Sequence, residues 1–205
     1  MKTMTSKNTK KLSEIAKVGS GLVLSRKAAK EEKGIVYDLL TLRAIQADGN
    51  IDMSLLDVFE AKESLSSDYI TQRGDIVIRL SVPYTAVLID ESTEGMVVSS
   101  NFVLIRCEKE KLIPEYLFWL LNTRKIRREL LENTTGSVIG TIKAKYFSDF
   151  AIELLSVANQ EKIATIDRLA RREHDLLLRL AEERGLLYDH LLSQVQKEMR
   201  RGTRV

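Results

Sequence analysis

From residue 35 to residue 107 the apolar positions come as short β-branched runs separated by Gly, Asp and Ser. Ile35-Val36-Tyr37 and Leu39-Leu40-Thr41-Leu42 lead to a turn at Asp48-Gly49-Asn50. Ile76-Val77-Ile78-Arg79-Leu80 follows Gly74-Asp75, and Ala86-Val87-Leu88-Ile89 follows Pro83. Met96-Val97-Val98 and Phe102-Val103-Leu104-Ile105 complete the set. Runs of this length and composition between turn formers predict strands of a mostly antiparallel or mixed sheet.

At Pro114 the period changes. Pro suits the first turn of a helix, and Glu115 complements its positive end. The segment from Tyr116 through Leu121 to Leu130-Leu131 predicts one amphipathic helix of about 18 residues that ends at Asn133-Thr134-Thr135-Gly136. Phe150-Ala151-Ile152-Glu153-Leu154-Leu155 then reads as a last strand.

From Asn159 to Met199 there is no Pro and one Gly, Gly185. Ile163, Ile166, Ala170, Leu177, Leu180, Leu187 and Leu191 follow one another at spacings of 3, 4, 7, 3, 7 and 4. Those spacings fit a coiled-coil seam of period 3.5, with Glu173, Arg184 and Gln194 as polar register positions. Leu169, Leu176, Leu178 and Leu192 lie off the seam, so more than one helical neighbour is expected. A continuous helix here would be about 60 Å long; the alternative is two shorter helices hinged at Gly185 and folded back.

Charge adds a second layer. The net +3 conceals a segregation. Residues 1–33 carry nine basic and three acidic side chains, and residues 124–145 carry six and two. Residues 34–123 carry seven basic and fourteen acidic side chains, and residues 146–205 ten of each. Positive charge gathered in two segments is what a polyanion-binding surface requires. No apolar run approaches the ~20 residues that span a bilayer. The Lys-rich N-terminus lacks the apolar stretch of a secretory signal. Cys107 is the single cysteine, which excludes an internal disulfide framework and suits a reducing cytoplasm.

Candidate chemistry is sparse. With one Cys and two His, His174 and His190, no metal site is expected. The phosphate-cradling Gly-x4-Gly-Lys-Ser/Thr loop is absent, Gly19-Ser20-Gly21 does not extend to a dinucleotide fingerprint, and there is no Gly-x-Ser-x-Gly elbow. Cys107 ends an apolar run and reads as a small core residue rather than a nucleophile. The chain is expected to do no chemistry itself and to need no cofactor.

In order along the chain, several short features resemble the specificity subunits of type I restriction–modification enzymes. They are Lys11-Leu12-Ser13-Glu14-Ile15-Ala16, Gly74-Asp75-Ile76-Val77-Ile78, Ser100-Asn101-Phe102-Val103-Leu104-Ile105-Arg106, and Ile113-Pro114-Glu115-Tyr116-Leu117 through Leu121-Asn122. Thr135-Gly136-Ser137 with Ile142 and Phe147, and Asn159-Gln160-Glu161-Lys162-Ile163, complete the series. The prolines usual between the last strand and the helix are replaced by Leu154-Leu155-Ser156-Val157. The resemblance implies an α+β fold: a globular target-recognition domain with a twisted mixed or antiparallel sheet and a few helices, then a long C-terminal coiled-coil-like helix. It divides the chain into a recognition domain at 1–157, a helix for dimerisation and methyltransferase docking at 158–199, and a basic tail at 200–205.

Family members of full length have two such domains and two such helices, so this chain resembles a half-subunit. Its implied partners are double-stranded DNA, DNA methyltransferase subunits, a restriction/translocase subunit, and a second copy paired antiparallel through the helix. S-adenosylmethionine would belong to the methyltransferase. Two-fold pairing would match an inverted-repeat, split DNA site.

Affinity for DNA is expected from cations on phosphates and sequence choice from polar side chains on base edges. The basic candidates are Arg26, Lys27, Lys30, Arg124, Lys143 and Lys145. The polar loop candidates are Arg73, Arg79, Ser81, Tyr84, Ser99, Asn101, Thr134, Thr135, Gly136 and Ser137. The competing readings are a coiled-coil scaffold that binds only protein, which leaves the two basic segments without a purpose, and a small DNA-modifying enzyme, which the absent motifs disfavour.

Overall fold

The short apolar runs form strands in the computed structural model, which describes residues 8–29, 34–133 and 142–202. In chain order the strands are β1 (Thr9–Lys11), β2 (Ala16–Ser20), β3 (Ile35–Leu40), β4 (Asp57–Ala61), β5 (Asp75–Arg79), β6 (Ala86–Leu88), β7 (Val97–Val98), β8 (Phe102–Cys107) and β9 (Ala151–Glu153). The helices are α1 (Pro114–Asn122), α2 (Arg124–Glu132), α3 (Ala144–Asp149) and α4 (Val157–Gly202). The strands divide among three sheets: β1-β9, β2-β8-β5-β6 and β4-β3-β7. Every pairing is antiparallel except β3 with β7, so the mixed α+β architecture expected from the sequence is present. Among the described residues no helix is long and apolar enough to cross a membrane.

Two units divide the chain, Met1–Lys162 and Ile163–Val205. The first is built around β5 and β8, the central strands of the four-stranded sheet. Val77, Val87, Phe102 and Leu104 pack with Leu40, Ile45, Ile89 and Met96 on one face. By the two-residue alternation of a strand, Ile76, Ile78, Val103 and Ile105 turn to the other face, and all four are buried. Helix α1 packs on β5 and β6, and α3 on β2 and β8. Burial on both faces explains why these strands read as continuous apolar runs rather than alternating ones.

A buried ion pair locks one end of this sheet. Asp75 and Arg106 are direct cross-strand neighbours. Arg106 donates from Nε to Oδ1 and from Nη2 to Oδ2 of Asp75, each at 2.8 Å, and the Gln72 amide donates to Oδ2 at 2.8 Å. Asp75 is 1% exposed. The carboxylate holds the Arg106 guanidinium above its ordinary pKa, against the opposing effect of burial. Gly74 precedes the pair at φ +91°, a left-handed conformation that favours glycine.

The predicted single helix from Pro114 is two. Thr123 takes an extended conformation (φ −63°, ψ 146°), and its hydroxyl donates to Leu120 O at 2.7 Å while accepting from the Ile126 amide. It thereby ends α1 and caps α2, and the apolar pattern runs unbroken across the cap. Thr41 and Leu42 likewise fall outside β3. The Thr41 hydroxyl donates to Leu55 O and accepts from the Ala44 amide, which turns the chain.

The first turn of α4 is anchored by a carboxamide. Gln160 is 0% exposed. Its Oε1 accepts from the Ile113 amide, and its Nε2 donates to Lys111 O and Leu155 O, all at 2.9 Å. One side chain thus satisfies three backbone groups, among them the N–H of the residue that caps α1.

The second unit is helical from Ile163 to Gly202, and α4 passes through Gly185 without a break. The alternative of two hinged helices is therefore overturned. From Ile166 onward the large apolar side chains along this helix stay exposed, Leu177 at 57% and Leu180 at 56%.

Two stability predictions follow from the buried polar groups. Asp75→Ala leaves the Arg106 guanidinium without its counter-charge and should cost about 3–5 kcal/mol. Gln160→Ala orphans three backbone groups and should cost about 2–4 kcal/mol. Urea unfolding of the intact chain, followed by tryptophan fluorescence of Trp119, measures both.

Candidate nucleic-acid interface

The sheet end opposite Asp75–Arg106 gathers several of the candidate residues. Strand β5 ends at Arg79, and β8 begins at Phe102, its direct partner. The Leu80 amide donates to Asn101 O, and the Ile142 amide donates to Leu80 O at 2.8 Å. Arg79, Ser81, Asn101 and Lys143 therefore come from three separate parts of the sequence to one edge. Asn122 brings a fourth part there. Its amide group pairs with both backbone groups of Ala86, donating to O at 3.0 Å and accepting from N at 3.2 Å. Residue 86 pairs with Ile78, so the α1–α2 junction and Arg124 share this end.

Exposure sorts the residues at this edge. Asn101, Arg124, Lys143 and Lys145 are exposed, and Arg79 and Ser81 are half-buried. Tyr84 is buried at φ +54°, and Ser99 is buried against Gly21, so these two shape the edge from beneath. Arg79 donates through Nη2 to Val82 O at 3.3 Å, and its buried Nε has no hydrogen-bond partner among the described residues. Burial lowers its pKa from the ordinary arginine value. Among the described residues no carboxylate lies within ion-pair distance of Arg79, Arg124 or Lys143.

Three other candidates stand apart. Arg73 precedes β5 at the locked end, about 20 Å along the strand from Arg79 at 3.3 Å per residue. Its guanidinium lies 3.6 Å from Glu91. Lys27 is ion-paired with Glu63, whose carboxyl this contact holds below its ordinary pKa. Arg26 is exposed on the neighbouring turn Leu24–Arg26. Lys30, Thr134, Thr135, Gly136 and Ser137 lie outside the described residues.

Helix α2 carries a signal that a count of charges misses. Arg124, Lys125, Arg127 and Arg128 crowd its N-terminal half, and its first turn holds no acidic residue. Cations there oppose the helix dipole, at about 0.3–1 kcal/mol each. Ile126 and Leu130 are buried, whereas Arg124, Lys125 and Arg128 face solvent. The helix thus presents an electropositive end whose charge opposes its own dipole.

The Cys107 thiol is half-buried, and burial pushes its pKa up to about 12, which keeps it neutral. Among the described residues no three His, Cys, Asp or Glu side chains could hold a metal ion.

The close approach of Gly21 to Ser99 supports this edge. The Gly21 amide donates to Phe102 O, and a Cβ added to Gly21 would lie 2.1 Å from Ser99 O. Gly19, two residues earlier, has nothing within 4 Å of such a Cβ. Gly21→Ala should therefore destabilise the domain by about 1–3 kcal/mol, and Gly19→Ala should leave its thermal midpoint nearly unchanged. Calorimetry of the two variants side by side measures the contrast.

Comparison with known proteins follows the same lines. The family model for the type I restriction modification DNA specificity domain matches residues 4–171. Among solved structures, a chain from a study of complex assembly and conformational transition of the type I R-M system superposes with TM-score 0.65 at 17% identity, covering 85% of this chain and 45% of that one. The HsdS subunit from Thermoanaerobacter tengcongensis gives TM-score 0.60 at 18% identity, covering 85% and 44%. The type I restriction-modification S subunit from M. genitalium gives 0.51 at 13%, covering 82% and 40%. The chain spans less than half the length of these structures. Curated protein sequences give no match. The chain belongs to the type I restriction modification DNA specificity domain family.

Proposed function

From this membership we propose that the chain is a sequence-specific DNA-recognition half-subunit of a type I restriction–modification system. Residues 1–157 read one half of a split target. The helix at 158–199 pairs with a second copy and docks methyltransferase subunits, and the tail at 200–205 adds positive charge. The chain directs a partner methyltransferase and a restriction/translocase subunit in the cytoplasm and carries no catalytic group of its own.

The observation that carries this reading is the edge shared by Arg79, Asn101, Arg124 and Lys143. It joins cations that have no carboxylate partner among the described residues to an exposed Asn, whose amide can bond bidentately to adenine in the major groove. The reversed charge of α2 supports the same reading, because a phosphate backbone at the helix N-terminus would turn an unfavourable arrangement into a favourable one. Lys143 and Lys145 are assigned to phosphates, which set affinity and register rather than sequence preference.

Charge reversal tests the assignment. Lys143→Glu with Lys145→Glu should weaken binding to duplex DNA about equally for all sequences. It should also lower the slope of log affinity against log salt by about two, one for each lost phosphate contact. Fluorescence anisotropy across a salt series measures both quantities. Unchanged affinity at low salt removes this loop from the interface. If the wild-type chain binds no duplex, with or without a methyltransferase subunit, the recognition reading itself fails.

A further inference from the structure

We infer that α4 pairs antiparallel with a second copy in one register, set by Glu173 of each chain facing Arg184 of the other. The inference rests on the reading of this helix as a self-pairing element and specifies how the pairing is keyed.

Glu173 and Arg184 are isolated charges within an apolar face. Residues three and four positions away on a helix are its surface neighbours. For Glu173 these are Leu169, Ala170, Leu176 and Leu177; for Arg184 they are Leu180, Ala181, Leu187 and Tyr188. Neither charge has an ion-pair partner on its own helix among the described residues, and Arg184 makes only a long contact, 3.5 Å, to the Tyr188 hydroxyl. Once the apolar face is covered, each charge needs an opposite charge supplied by another chain, because an unpaired buried charge is costly.

An antiparallel two-fold pair supplies both. When its axis passes between Leu178 and Arg179, residue numbers in facing positions sum to 357. Leu177 then faces Leu180, Ala170 faces Leu187, Ile166 faces Leu191 and Ile163 faces Gln194. In the same register Glu173 faces Arg184, twice by symmetry. Shifting the register by one heptad in either direction also stacks the seam positions, but it sets Glu173 against Leu191 or Leu177, and Arg184 against Leu180 or Ile166. A parallel in-register pair sets Glu173 against Glu173 and Arg184 against Arg184. Of these arrangements, only the one centred between Leu178 and Arg179 neutralises all four charges. Polar seam residues specifying register and orientation in this way are a known property of coiled coils.

The arrangement predicts complementary specificity in the full chain. Glu173→Arg gives a homodimer with two Arg–Arg contacts, and Arg184→Glu one with two Glu–Glu contacts. An equimolar mixture of the two variants restores both Arg–Glu contacts in a heterodimer. Sedimentation equilibrium at low ionic strength should show each single variant self-associating at least about tenfold more weakly than wild type. The mixture, and the double variant Glu173→Arg/Arg184→Glu, should recover wild-type association. Recovery in the mixture also shows that each variant helix still folds. If single reversals leave self-association unchanged, or mixing fails to restore it, the register is wrong while self-pairing stands. A wild-type chain that stays monomeric throughout the concentration series overturns self-pairing, and the register with it.

Discussion

The recognition unit depends on a carboxylate that has nowhere to go but its partner. Asp75 lies almost wholly out of water, and removing a carboxylate from water is tolerable only when its oxygens are occupied. The fork of Arg106 fits them two-for-two from the adjacent strand, and the amide of Gln72 takes a further position. Arg106 also reaches the carbonyl of Ile70 at 3.4 Å. One charge pair therefore fixes the β5–β8 register and the segment that enters β5. Because register in an antiparallel pair is set once for the whole ladder, the lock at Asp75 also determines that Arg79 ends opposite Phe102. The sheet has one end locked by an internal ion pair and another that carries exposed and half-buried polar side chains.

The same logic explains how far the sequence could be read. Strands β5 and β8 were legible because burial on both faces makes them unbroken apolar runs. The hidden strands are those without such a run: β1 is Thr9-Lys10-Lys11, wholly exposed and paired with β9, β2 buries only Ala16, and in β4 only Phe59 and Ala61 are buried. The break at Thr123 was illegible because the apolar stripe continues across it, and a threonine has the same composition in a cap as in a helix. In the candidate interface, a list of polar loop residues could not separate Arg73 from Arg79. They lie at opposite ends of one strand, a distinction that exists only once the strand does. Nor could it show that Tyr84 points into the core while Asn101 remains outside.

Charge counts alone are similarly blunt, since they treat all cations alike. Lys17 bonds Asp68 at 2.6 Å, Lys11 bonds Asp149 at 3.0 Å, and Lys27 is held by Glu63. These cations of the first basic segment are committed within the fold. The second segment differs, because Arg124, Lys125 and Arg128 face solvent on a helix whose dipole they oppose. An arrangement that opposes its own helix dipole is informative in a way that net charge is not. It marks α2, rather than the more basic N-terminus, as the part of the unit where an external anion gains most.

The long helix extends this contrast between committed and uncommitted groups. Leu169 and Leu176 flank the seam on one side and Leu192 on the other, and all three are exposed. A single partner helix covers the seam positions and leaves the flanks in water. A face wider than one partner can cover is consistent with a self-paired core that still presents apolar surface to a different protein. The two isolated charges separate these roles, because a symmetric copy can neutralise both at once, whereas an unrelated helix would need the opposite charges at the same eleven-residue separation. In the proposed pairing, charge would select the copy, and the flanking leucines, which carry no such restriction, would be left to a second partner.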